Sequence, residues 1–185
     1  MMRIRHEMKL KYPVEQVYET FRDNPTALAA KIPQLEKVEV LSREDPSPEQ
    51  TRVKIKFYGR TAIPDVIRPV LNPSMLRWVT EQDWDNVGRT NCYKVETAHF
   101  KEWVNVGGKW TFCSDGNGGT VLTVAGHVHI KSEGIPGIPK PIAKVAGELV
   151  EKFIFHNAGP NLKRMMVALE RLLEQNYPLE AAPAT

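Results

Sequence analysis

The chain has 185 residues, 42% of them hydrophobic and 25% charged, with a formal net charge of +3. That is the size and composition of an ordinary soluble domain with a real core. A dedicated nucleic-acid surface would need a dense stripe of Lys and Arg, whereas acids stand near every basic cluster here, and no segment approaches the roughly 18 apolar residues of a membrane span.

The first strand is plain in the alternation. Met2, Ile4, His6, Met8 and Leu10 fall on one face, with Arg3, Arg5, Glu7, Lys9 and Lys11 on the other. The opening residues lack the apolar stretch of a signal peptide, so the expected location is cytosolic or at most peripheral to a membrane. Pro13 suits a first helical turn, and Val14, Val17, Tyr18 and Phe21 follow at helical spacing. Asn24-Pro25 reads as an N-cap and first-turn pair for a second short helix to about Lys31.

Strands then resume. Val38 and Val40 lead to a turn expected at Glu44-Asp45-Pro46-Ser47-Pro48, and Val53, Ile55 and Phe57 alternate with polar neighbours. Prolines bracket an irregular crossing at Ile63–Pro69. Strand-like runs follow at Met75–Trp84, Thr90–Thr97, Trp103–Cys113 and Thr120–Lys131. Ser114-Asp115-Gly116-Asn117-Gly118-Gly119 is a strong hairpin signal, and Gly107-Gly108 predicts a bulge. After a Gly/Pro-rich loop, an apolar period runs from Ile142 to about Gln175. Ile142, Val145, Ala146, Leu149, Phe153 and Ile154 form one stripe of this helix, and Leu162, Met165, Met166, Leu169, Leu172 and Leu173 continue it. Gly159-Pro160 predicts a kink or short break. The Ala/Pro-rich residues 177–185 read as a disordered tail, leaving 1–176 as one domain.

This order resembles the START-like, or Bet v 1-like (SRPBCC), helix-grip superfamily. The entry Tyr12-Pro13-Val14-Glu15-Gln16-Val17-Tyr18 is similar to the start of its first helix. Ile63-Pro64-Asp65-Val66-Ile67, with a last strand like Val121–Ile130 before a long helix, resembles two groups within it. These are the DUF2505 family and the PRELI/MSF1 lipid-transfer family. The resemblance implies an α+β helix-grip fold: a seven-stranded antiparallel curved sheet wrapped round a long C-terminal helix, with two short helices after the first strand. It also implies an apolar pocket between sheet and helix. Members bind lipids, sterols or polyketides, and some are cyclases or aromatases.

Strand parity nominates the pocket wall. Trp110 and Phe112 share a face with Val104 and Val106, and Tyr93 and Val95 form a similar pair one strand earlier. Val124 lies on the apolar face of the last strand; Leu149 and Phe153 lie on the helix stripe. Trp78 is one of four strand tryptophans that serve equally as core or as pocket wall. His6 stands among apolar residues as a candidate polar anchor, and Arg68 as a candidate partner for a phosphate or carboxylate at the mouth. The apolar loop Ile135-Pro136-Gly137-Ile138-Pro139 is a candidate gate, or a touch-point for a transient membrane-surface contact.

His127 and His129 share a strand face but oppose the apolar one, so both are expected in solvent, without a metal. Cys92 and Cys113 are expected to be free, buried thiols. There is no phosphate loop and no nucleophile elbow, so neither a catalytic residue nor a cofactor is assigned. The expected function is binding, and transfer, of an apolar or amphipathic lipid-like molecule, without nucleic acid as a partner. A polyketide cyclase/aromatase-like enzyme in the same cavity and an interaction module with a filled core are the alternatives.

Overall fold

A computed structural model describes residues 1–68, 71, 73–98, 101–131 and 140–178, with backbone alone at 140–142. The elements are β1 (Met2–Leu10), α1 (Val14–Asp23), α2 (Pro25–Ala29), β2 (Leu35–Ser47), β3 (Gln50–Gly59), β4 (Arg77–Asp85), β5 (Thr90–Thr97), β6 (Val104–Ser114), β7 (Thr120–Ile130) and α3 (Lys140–Asn176). All seven strands form one antiparallel sheet in the order β1-β7-β6-β5-β4-β3-β2. The fold is the expected helix grip. The β6–β7 hairpin turns where Gly116 and Gly118 take positive φ, and Asp115 Oδ1 accepts the Asn117 and Gly119 N–H groups at 2.7 and 2.8 Å.

Local expectations differ from the structure in two places, and at a third, where the sequence predicts a kink or short break at Gly159-Pro160, there is no break. Glu44 to Ser47 stay in β2, and the turn falls at Pro48-Glu49. Three register shifts in β2 absorb the irregularity instead. Gly107-Gly108 forms no bulge, because β6 keeps an unbroken register with both neighbours. Helix α3 runs through Pro160 without a break. The carbonyl that Pro160 cannot bond belongs to His156, and both residues are solvent-exposed, so water can take the orphaned acceptor.

The tightly packed part of the sheet–helix interface lies where α1 covers it. Tyr18 meets Trp84 and Phe112 edge-on, at ring separations of 5.4 and 5.2 Å. Phe21 packs on Trp110 at 4.9 Å. Leu122, Val124, Leu169 and Leu173 are fully buried beside them. The Tyr18 hydroxyl donates to Asn86 Oδ1 at 2.8 Å, and Asn86 Nδ2 donates to the Pro48 carbonyl at 3.0 Å. That chain of bonds ties α1 to the β2–β3 turn. Tyr177, assigned to the tail on composition, is half-buried against this cluster.

Candidate ligand-binding cavity

Away from α1 the same two layers part around a cavity of about 420 Å³. Its sheet wall follows the period of two. Trp78, Thr80 and Gln82 come from β4, Tyr93, Val95 and Thr97 from β5, and Val104, Val106 and Trp110 from β6. Phe57 of β3 stacks on Trp78 with centroids 5.5 Å apart and planes 11° from parallel. The facing wall is the N-terminal half of α3, which presents Ala146, Gly147, Val150, Phe153, Ile154 and Ala158. Three of those six side chains are too short to reach the sheet, which is why space remains between layers that touch further along. Ile32 and Leu35 after α2, with Leu71, Met75 and Leu76 before β4, add to the lining.

The polar lining is sparse and uncharged. Gln34, Thr61, Thr80, Gln82, Tyr93, Thr97, Asn157 and Asn161 contribute to it, and among the described lining residues none is Asp, Glu, Lys, Arg or His. Gln82 Oε1 accepts from Trp84 Nε1 at 3.1 Å. Arg164, standing behind the wall, donates from Nη1 to Gln34 Oε1 at 2.9 Å and to Asn161 Oδ1 at 3.2 Å. Asn157 Nδ2 donates to the Phe153 carbonyl at 2.8 Å.

Tyr93 reaches across two strands. It pairs in register with Gly108, which pairs with Gly126. A Cβ on either glycine would lie within 2.8 Å of the tyrosine oxygen. Two missing side chains thus make the bed for one ring, which is what Gly108 does here in place of the predicted bulge. Burial pushes the Tyr93 phenol up, so it remains a neutral hydroxyl at physiological pH.

Asn91 lies one inward position along β5 from Tyr93, between Trp84 and Trp110 in register. It is 1% exposed, and neither amide atom has a hydrogen-bond partner among the described residues. Such a group costs about 1–3 kcal/mol.

Of the residues nominated from sequence, Trp78, Tyr93, Val95, Trp110 and Phe153 line the cavity. Phe112 and Val124 do not: parity aimed them inward correctly, but they fall under α1, where the interface is closed. Leu149 is half-buried and outside the lining; the helix face that meets the cavity is the one carrying Ala146, Gly147 and Val150. Val145, placed on the same stripe, is 59% exposed. His6 packs at α3, its Nε2 being 3.6 Å from where a Gly159 Cβ would stand, and does not reach the lining. Arg68 is exposed, paired with Asp65 at 2.7 Å and bonded to the Ile63 carbonyl. The Ile135–Pro139 gate and residues 179–185 lie outside the described residues.

His129 meets its expected solvent position only in part, its side chain being 36% exposed. Its Nδ1 is buried, 3.6 Å from Glu151 Oε2. Cys92 and Cys113 are free, but exposed rather than buried. Among the described residues no His, Cys, Asp and Glu group is arranged to hold a metal, and no helix is long and apolar enough to cross a membrane.

Sequence reasoning reached the helix wall at Phe153 but missed the role of its small residues and the amides. The signal was present as small and amide residues, Ala146, Gly147, Asn157, Ala158 and Asn161, in a helix otherwise rich in large apolar side chains.

A family model described as protein of unknown function (DUF2505) matches residues 5–158. Among curated proteins, no sequence matches the chain. Among solved structures, TTHA0849 from Thermus thermophilus superposes with a TM-score of 0.66 at 20% identity, covering 95% of this chain and 99% of that one. The Zhui aromatase/cyclase from Streptomyces sp. R1128 gives 0.65 at 18% identity, covering 96% and 99%. A START superfamily protein from Mycobacterium smegmatis gives 0.52 at 17%, covering 94% and 98%. At these identities the likeness is one of fold.

Proposed function

The chain belongs to the DUF2505 family, whose function is undefined, and from that footing we propose that it binds an apolar or amphipathic small molecule between the sheet and α3. The observation that carries this reading is the cavity of about 420 Å³ walled by Trp78, Val95, Val106 and Phe153. That size falls in the usual ligand-pocket range of about 300–1,000 Å³. It also counts against a filled interaction module. Burying about 300 Å² of ligand at roughly 25 cal/mol/Å² contributes about 7 kcal/mol before ordering costs, which corresponds to micromolar affinity at best without polar anchors.

Residues 1–176 would act as one carrier domain, holding a lipid-like cargo in the cytosol. Transient contact with an anionic membrane surface would suit transfer; its support is the net charge of +3. Native mass spectrometry and organic extraction of the freshly purified protein test the reading. A retained small molecule is expected. An empty protein that also ignores a panel of lipids, sterols and aromatic compounds would remove it.

The aromatase/cyclase fold neighbour favours a second reading, an enzyme in the same cavity. Among the described lining residues only Tyr93 carries a titratable group, which leaves general acid–base chemistry with one participant. Binding is therefore the reading the cavity supports better.

A further inference from the structure

The hydrogen bonds around the cavity sort its polar groups in one direction. An amide side chain offers an oxygen acceptor and two N–H donors. For three of the four amides in the lining, the protein already bonds the oxygen, leaving it one of its two acceptor sites. Trp84 Nε1 occupies the Gln82 oxygen, and a single Arg164 nitrogen occupies those of Gln34 and Asn161. The NH2 groups of these three have no acceptor among the described residues. The Tyr93 hydroxyl likewise has no partner among them, and it is held in place by its seat over Gly108 and Gly126. Only Asn157 is arranged the other way, its NH2 bonded to Phe153 and its oxygen left over. Among the lining amides, the open N–H donors therefore outnumber the open acceptor sites.

Arg164 matters for a second reason. It is the charged group nearest in bonding terms to the cavity, yet it presents its guanidinium to the backs of two amides rather than to the space itself. It is not part of the lining. The described wall carries no full charge of either sign. A carboxylate, phosphate or ammonium drawn inside would lose its water without gaining a counter-ion, the costliest form of burial.

We propose, on the footing of the cavity reading above, that the ligand is an uncharged ring compound whose polar edge consists of acceptor oxygens, such as those of a ketone, quinone, lactone or ether. Gln82 and Tyr93, paired directly across β4 and β5, are the groups that select it. The aromatic sheet wall favours flat rings: Trp78 is stacked on Phe57, and Trp110 lines the same wall two strands away. Fatty acids and phospholipid head groups are selected against.

Three probes that share one skeleton test this: 9-fluorenone, fluorene and 9-fluorenone-2-carboxylate, each measured by equilibrium dialysis at neutral pH. Fluorenone is expected to bind at least about tenfold tighter than fluorene, the factor worth roughly one well-made hydrogen bond. The carboxylate is expected to bind at least about tenfold weaker than fluorenone, because its charge finds no partner. In Gln82→Met and Tyr93→Phe variants, checked for folding by circular dichroism, the fluorenone-to-fluorene ratio should fall, to below about threefold when the two are combined. The wild-type ratios stand as a test even if a variant fails to fold. Equal binding of fluorene and fluorenone would overturn the inference while leaving the cavity reading intact, and so would tightest binding of the carboxylate or an unchanged ratio in both folded variants. If none of the three binds, this inference is overturned, while the cavity reading stands or falls by the retained-ligand and panel test.

Discussion

The two halves of the interface between sheet and α3 are built from the same residue types and reach opposite outcomes. Under α1, Leu169 and Leu173 of the helix meet Leu122 and Val124 of the sheet, and all four are fully buried. Four turns earlier on the same helix, Phe153 and Ile154 face Val95 and Val106, and these remain half-buried. Strand hydrophobicity does not separate the two regions, because tryptophans stand in both. The difference is made from outside the strands. Helix α1 adds Tyr18 and Phe21 to the packed half, whereas α3 withdraws side chains from the hollow half by presenting Ala146, Gly147 and Ala158. An inward apolar residue becomes core or cavity wall according to what stands opposite it.

The sharpest way to break this comparison is one substitution made twice. Leu169→Ala in the packed half should cost about 3 kcal/mol, since the void it opens is closed on all sides. Leu162→Ala, two turns earlier and already at the cavity, should cost about 1 kcal/mol, because it enlarges a space that exists. Urea denaturation of the two variants checks the pair, and equal costs would mean that the halves are packed alike. Ala158→Phe is the converse. A ring added at the hollow wall should lower ligand affinity at least about tenfold, while the melting temperature holds or rises. A fall in stability typical of an overpacked core would show that the wall has no room to give.

Much of this architecture was legible in the sequence, and for identifiable reasons. The alternation of Met2 to Leu10, the Asn24-Pro25 helix start and the Asp115–Gly119 hairpin are local codes, and the elements fall as they dictate. Parity also aimed Trp78, Tyr93, Val95 and Trp110 inward. It could not distinguish them from Phe112 and Val124, because the position of α1 over the sheet is a tertiary fact that leaves no mark on strand periodicity. Arg68 and His6 illustrate the opposite failure. Each drew attention by chemical type, and each is explained by a neighbour: for Arg68 it is Asp65, three residues away, and for His6 it is Gly159, whose approach depends on the folded chain. The donor bias of the lining was invisible for the same reason: an amide's free edge is decided by which atom Trp84 or Arg164 bonds.

Between the halves sits Asn91, buried with both amide atoms unpaired among the described residues. If this position belongs to the packed half, an apolar residue of similar size should improve it. Asn91→Leu is expected to stabilise the protein by about 1 kcal/mol, the desolvation cost recovered when an unsatisfied amide leaves the interior. A loss of stability in the same denaturation experiment would place a bridging water or a ligand atom at Asn91, and so move the cavity floor one residue deeper.

The smallest effect concerns how the hollow half is held without a filled core. There α3 is fastened to the sheet by a polar clasp. Glu151 is 8% exposed, and its Oε2 accepts the Ile130 N–H at 3.0 Å, beyond the last β1–β7 pair. The Met1 amine approaches its other oxygen at 2.9 Å, and His129 lies 3.6 Å away. Burial alone would raise the Glu151 carboxyl, but the amine and the Ile130 N–H hold it below the ordinary carboxylate range. A folded-state value that is depressed means the clasp contributes fully above the unfolded value and is lost as pH falls through the folded one. Acid should therefore release the hollow half first. Hydrogen exchange at the Ile130 amide should quicken as pH falls through and below the ordinary carboxylate range, beyond the intrinsic pH effect on exchange, while Leu122 and Val124 amides keep their protection. Glu151→Gln should show the weakened clasp already at neutral pH and little further change on acidification. Simultaneous loss of protection in both halves would mean that they unfold as one unit and that the division drawn here is one of packing only.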